Sequence, residues 1–174
     1  MNPTHQPPAT ITPQIHTYHC LCTNVLLATT YSLPDLHRRA APSIDKPYIL
    51  PCPPHPSNPD PDSDSEDSET PTNFTLLVSL LLPPRQTPLL IRRVDGYEKR
   101  WLLRCGRCRL VVAYQLDWSQ YKTEIVESAA GEEGKSGRRE NVVYILPGAV
   151  MTTEEMVKGK KLEEKDVGFE LEGK

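Results

Sequence analysis

Two close cysteine pairs, Cys20-Leu21-Cys22 and Cys105-Gly106-Arg107-Cys108, constrain this chain more than any other feature. Each pair stands at the end of an apolar, strand-like run, the place from which a zinc knuckle presents its thiolates. Between Cys22 and Cys105 lie 82 residues, so one shared ion would clasp distant parts of the sequence. Four sulfurs around a tetrahedral ion leave no position for water. Such a site holds a fold together and does no chemistry.

A metal clasp answers a need that the composition creates. Apolar residues are 37% of the 174, and 18 residues are proline, whereas ordinary soluble domains are about 45–50% apolar. The length allows one domain with tails, and a core this small commonly needs a metal or disulfides to offset chain entropy. The N-terminus, Met-Asn-Pro-Thr-His-Gln-Pro-Pro, shows neither a basic nor an apolar signal region. The longest apolar run, Phe74 to Leu82, is nine residues, against about 20 for a membrane helix. The expected location is cytoplasm or nucleus, not secreted and without a transmembrane helix. Thiols there stay reduced, and clustered cysteines favour metal over disulfide. Cys52, in Leu-Pro-Cys-Pro-Pro, is left as a free thiol.

The pass along the chain predicts a mostly β, antiparallel domain over residues 15–151, with a disordered tail at 1–14 and a charged tail at 152–174. Tyr18 to Thr30 reads as strand, knuckle and returning strand, with Thr23-Asn24 in the turn. Asp35 to Leu50 is a connector with room for one short strand. Residues 51–73, dominated by Pro, Asp, Ser and Glu, form a flexible insertion. Its stretch 60–69 carries six acids and no base, and Ser63, Ser65 and Ser68 there suit either an acid-directed kinase or a solvated spacer. Phe74 to Leu82 is rich enough for one buried strand. Leu89 to Arg93, the turn signal Val94-Asp95-Gly96-Tyr97, Lys99 to Arg104, and Arg109 to Trp118 give further strands. After a loop over Ser128–Glu140, Asn141 to Leu146 is the last strand. Residues 152–174 are a frayed helix or a disordered tail.

Cys20, Cys22, Cys105 and Cys108 read as one structural zinc site. The alternatives are that some of these thiols are merely buried, or that Cys105 and Cys108 form a redox pair. A redox pair opens a helix, and Arg107 to Tyr114 reads as strand. His19 could replace a cysteine, but its neighbour Cys20 favours a supporting role. Around the second pair, Arg92, Arg93, Lys99, Arg100, Arg104, Arg107 and Arg109 outnumber Asp95 and Glu98. This basic hairpin suits RNA or an anionic membrane surface. It equally suits the wet face of a strand, or charge compensation for four thiolates around one zinc. No catalytic constellation emerges: there is no phosphate-binding glycine loop, nucleophile elbow or His-Glu-x-x-His helix. The chain is expected to be no enzyme and to take no small-molecule substrate.

Tyr18-His19-Cys20-Leu21-Cys22, Leu36-His37-Arg38-Arg39 and Asp45-Lys46-Pro47-Tyr48-Ile49-Leu50 resemble the first half of the STING ER exit protein family. The second half is closer: Ile91-Arg92-Arg93-Val94-Asp95-Gly96-Tyr97-Glu98-Lys99-Arg100-Trp101, Cys105-Gly106-Arg107-Cys108, Val111-Val112-Ala113-Tyr114-Gln115, and Tyr144-Ile145-Leu146-Pro147-Gly148-Ala149-Val150. The Arg-Arg-x-x-Gly-x-Glu run ahead of Cys-x-x-Cys is the specific element. Pro147 departs from the family pattern, where an acid precedes Gly-Ala, and the charged C-terminal helix of animal members is shortened here or lost. The resemblance implies a non-enzymatic eukaryotic protein with a zinc-binding β domain, soluble, in cytoplasm and nucleus. Its animal namesake promotes exit of a membrane receptor from the endoplasmic reticulum in COPII-type vesicles by aiding membrane curvature.

The resulting expectation is an adaptor in ER-to-Golgi transport and ER membrane organisation, peripheral to the ER, with structural zinc. Its partners would be proteins of the ER-exit machinery or membrane cargo, and the basic hairpin its contact surface. A nuclear RNA- or spliceosome-associated zinc protein is the alternative. A thiol redox enzyme with a reactive Cys105 is the third.

Overall fold

Alternation of apolar and polar side chains builds two antiparallel sheets, and the computed structural model describes residues 13–53, 73–82, 87–120, 137–161, 163 and 167. The first sheet comprises β1 (His16–Cys20), β2 (Val25–Thr29), β4 (Thr75–Leu77) and β10 (Val150–Thr152), in the order β10-β1-β2-β4. The second runs β3-β9-β8-β7-β5, from β3 (Tyr48–Pro51), β9 (Val142–Ile145), β8 (Val111–Leu116), β7 (Gly96–Cys105) and β5 (Leu80–Leu81). A further strand, β6 (Leu89–Arg93), pairs with β7 alone. Helix α1 (Thr153–Val157) follows β10 and starts with a reciprocal cap: Thr152 Oγ1 accepts from Glu155 N–H, while the Glu155 carboxylate accepts from Thr152 N–H. Among the described residues no helix is long and apolar enough to cross a membrane.

The core lies where the sheets meet. Leu26, Leu27, Leu50, Leu103, Val112, Tyr114, Val143, Ile145 and Leu146 are fully buried. Strand β8 is buried along nearly its whole length, which explains its continuous apolar run, since both of its faces are covered. In β2 two consecutive leucines face inward because the β1–β2 register shifts between Tyr18 and His19, and a bulge of this kind re-aims one side chain. Truncating Leu26 or Leu27 to alanine would cost about 2–5 kcal/mol.

Several expectations need correction. The run Phe74 to Leu82 is not one buried strand. It is two short strands, one in each sheet, and Leu76, Val78 and Leu81 are exposed. The break comes at Val78-Ser79, whose N–H groups both donate to the Leu26 carbonyl, 2.9 and 3.0 Å. There the chain steps from one sheet to the other, so no single face stays inside. Pro51 and Cys52 do not belong to the insertion read over 51–73: Pro51 pairs with Val142 in the β3–β9 ladder, and Cys52 N–H donates to Asn141 O. Residues 54–72, 1–12 and 121–136, on which the remainder of the insertion, most of the N-terminal tail and most of the second loop were placed, lie outside the described residues. Strand β10 was missed: it is three residues long and pairs with β1 through Tyr18↔Thr152, His19↔Met151 and Cys20↔Val150. Cys52 is a free, half-buried thiol, pushed up to about 11 by burial.

A buried ion cluster organises the open end of the second sheet. Glu98, 3% exposed, accepts hydrogen bonds from Arg39 Nη1 and Nη2 (2.9 and 2.5 Å), Arg100 Nε (2.6 Å) and Arg93 Nη1. Arg100 also reaches Asp45 at 2.7 Å and lies over the Tyr114 ring, which stacks on Tyr144. Burial opposes the charge on Glu98, but the Arg39 and Arg100 guanidiniums outweigh it and hold the carboxyl at about 2, below its ordinary 4.5. A depressed folded-state pKa stabilises above the unfolded value and is lost as pH falls through the folded one. We therefore expect roughly 3 kcal/mol of stability at neutral pH to disappear between about pH 4.5 and 2, at about 1.4 kcal/mol per pH unit. Replacing Glu98→Gln leaves Arg39 without an acid and Arg93 and Arg100 with one each, and should cost about 3–5 kcal/mol in urea unfolding, while flattening this acid limb.

Candidate metal centre

Two knuckles of matching design bring the four cysteines together. In the first, Thr23 N–H donates to Cys20 O and Cys20 N–H to Asn24 O, each at 2.8 Å. In the second, Arg109 N–H donates to Cys105 O (3.0 Å) and Cys105 N–H to Leu110 O (2.9 Å). Each turn ends on a residue in the left-handed region directly after its second cysteine, Thr23 and Arg109, both at φ 66°. The β1–β2 turn belongs to one sheet and the β7–β8 turn to the other. The site is therefore the place where the two sheets are tied.

The four Sγ atoms lie within 4.8 Å of one another and could hold a metal ion. Two edges of the cluster are 3.5 Å (Cys20–Cys108) and 3.7 Å (Cys22–Cys105). Metal–sulfur bonds of about 2.3 Å in a tetrahedron place neighbouring sulfurs about 3.8 Å apart, so the donor set fits one tetrahedral cation. Burial works against charge on Cys105, but the N–H groups of Cys108 and Arg107 and the Asn24 amide hold that thiol down to about 6. Burial pushes Cys20 and Cys108 up, and a cation would let them ionise. Four protein sulfurs on a tetrahedral ion leave no position for a substrate.

A supporting shell surrounds the sulfurs, and the sequence pointed to little of it. Asn24 Nδ2 donates to Ser79 Oγ (2.8 Å) and lies 3.6 Å from Cys105 Sγ, while Gly106 N–H donates to Ser79 O (2.8 Å). Ser79 looked like a polar interruption of an apolar run. It sits here because the sheet crossover at Val78-Ser79 passes against the second knuckle. Arg107 Nη1 donates to Cys22 O at 3.2 Å, linking the two knuckles directly. His19 stays outside the sulfur cluster: its Nε2 lies 2.9 Å from Thr153 Oγ1 at the start of α1.

The seven basic residues read as one surface divide into three groups. Arg92 and Lys99 are exposed on the outer face of the β6–β7 hairpin. Arg104, Arg107 and Arg109 border the second knuckle, with Arg104 Nη1 donating to Arg109 O at 3.0 Å. Arg93 and Arg100 are not surface residues: strand alternation places them on the inner face with Glu98, and Arg100 is buried. Their charge is spent inside the fold.

Chelation of the folded protein is expected to remove about one metal equivalent and lower the thermal midpoint by at least about 10 °C. Calorimetry before and after dialysis checks this, and an unchanged melt would show that the sulfurs hold no structural ion. A Cβ at Gly106 would lie 2.5 Å from Ser79 Oγ and 3.4 Å from Ser79 O. Gly106→Ala should therefore displace Ser79, cost about 1–3 kcal/mol and speed metal loss to a chromogenic chelator.

A protein-family model described as the STEEP1 domain matches residues 9–160. No curated protein sequence matches the chain. The matched span takes in both knuckles, the Glu98 ion cluster, every strand of the two sheets and helix α1. Spacing, fold and family match agree, and the chain belongs to the STEEP1 domain family, the STING ER exit proteins that its motifs resemble.

Proposed function

We propose that the chain is a non-enzymatic adaptor in transport from the endoplasmic reticulum to the Golgi and in ER membrane organisation, with structural zinc at the four-cysteine site. Family membership over residues 9–160 is the observation that carries this reading. Zinc is the ion the donors favour, because four soft thiolates in a tetrahedral spread suit it and a reducing compartment keeps the thiols available. Its contribution would be cohesion, on the order of 10 kcal/mol of folding free energy. A fold whose four-cysteine site is closed can act through its outer surface. The exposed Arg92, Lys99, Arg107 and Arg109 are its contact residues, and its partners are proteins of the exit machinery or membrane cargo. The place of action is the cytoplasm, at the ER surface.

Deleting the gene should slow arrival of an ER-exit reporter at the Golgi, and the wild-type chain should restore it. Unchanged cargo kinetics would remove the transport role. Proximity labelling from the wild-type chain is expected to return coat proteins, whereas splicing factors would point to the nuclear RNA-associated alternative. Elemental analysis of purified protein should find about one zinc per chain.

A further inference from the structure

The β6–β7 hairpin has two faces of opposite character. Ile91, Arg93, Glu98 and Arg100 turn inward, to the ion cluster and core. Leu90 pairs across the strands with Lys99, and Arg92 with Tyr97, on the outward face. Leu90 is 57% exposed and Tyr97 66%, and Val94 at the tip is 93% exposed. An outward row of large apolar side chains interleaved with cations is unusual for a strand with a solvated face, where alternation ordinarily places polar residues.

The charge on this face is only partly compensated: Lys99 lies within electrostatic reach of Asp117 at the end of β8, and Arg92 makes no ion pair among the described residues. Of the hairpin's two acids, Glu98 is buried among three arginines and Asp95 lies 3.2 Å from Arg93 Nε. Neither reaches Arg92 or Lys99. The backbone is open as well. Strand β6 pairs with β7 alone among the described residues, and in an antiparallel pair alternate residues direct N–H and C=O away from their partner. An unpaired edge of this kind is a template for another strand.

We propose that β6 is a docking edge for an extended acidic segment of a partner protein, added to the sheet as a further strand. Its backbone would pair with the free edge of Leu89–Arg93. Its alternate side chains would meet the outward face, carboxylates on Arg92 and Lys99 and apolar groups on Leu90 and Tyr97. Main-chain pairing supplies affinity in this recognition mode, and side chains at every second position supply choice. One exposed aromatic makes no stacking row for single-stranded RNA, and a single valine at the tip offers little area for a bilayer. The inference deepens the reading of the chain as an adaptor but does not need its transport role.

The test uses the full chain and a short fluorescein-labelled peptide alternating Glu with Val and Leu, followed by anisotropy and by amide NMR shifts. Binding is expected with shifts centred on residues 89–100. The double variant Arg92→Glu/Lys99→Glu, on exposed positions, should weaken it at least about tenfold. N-methylation of alternate peptide amides should weaken it similarly while leaving every charge in place, and needs no protein variant to fold. No binding by the peptide, binding indifferent to N-methylation, or shifts confined to the second knuckle would each overturn strand addition. So would preferential binding of poly-uridine RNA or of phosphatidylserine vesicles by the same face. A peptide that binds while the ER-exit reporter stays unaffected would leave this docking edge standing and dismiss the transport role alone.

Discussion

Four sulfur atoms drawn from opposite sheets carry the architecture. The first knuckle closes the β1–β2 turn and the second closes the β7–β8 turn, and 82 residues separate them along the chain. Closing a loop of that length carries an entropic cost that a small core offsets poorly. A cation shared by the two turns would concentrate the required attraction at one point. The turns also position neighbours outside the sulfur cluster. The crossover at Val78-Ser79 lies against the second knuckle, and Gly106 is glycine because Ser79 occupies the space a side chain would need.

At the other end of β7 the fold is held by charge. Glu98 gathers Arg39, Arg93 and Arg100, with Asp45 behind Arg100. Three of these residues belong to the β6–β7 hairpin, and Arg39 and Asp45 come from the connector before β3. This gives the Arg-Arg-x-x-Gly-x-Glu run a physical meaning. Its second arginine and its glutamate are inner-face partners, its first arginine faces outward, and Gly96 takes φ 137° beside the turn that brings the two strands together. A buried carboxylate shared by three guanidiniums requires a particular arrangement of the connector, so the cluster constrains the fold as well as stabilising it.

The division of the basic residues bears on function. Counted along the sequence, seven cations near the second cysteine pair form one positive stretch. In space, two are consumed by Glu98, three border the second knuckle, and two remain on the hairpin's outer face with Leu90 and Tyr97. The surface left for a partner is smaller than the sequence suggests, and more apolar. That composition, beside a strand edge that is unpaired among the described residues, suits an extended peptide better than a polyanion.

Residue type and spacing alone were enough for the thiolate set, the antiparallel β class and the family, because a Cys-x-x-Cys turn and a two-residue strand period are local properties. They also placed the hairpin at Val94–Gly96. They were silent on which face each hairpin cation takes, since Glu98 attracts Arg39 from 59 residues away. Likewise they could not reveal that the apolar run at 74–82 is shared between two sheets, or that Ser79 and Asn24 support the cysteines. Strand β10 was not legible because three residues carry too little pattern, and its partners in β1 lie 130 to 134 positions earlier. Local chemistry was written in the sequence; the sharing of strands and charges between distant segments was decided by packing, where burial assigns each side chain to a sheet face and to a partner.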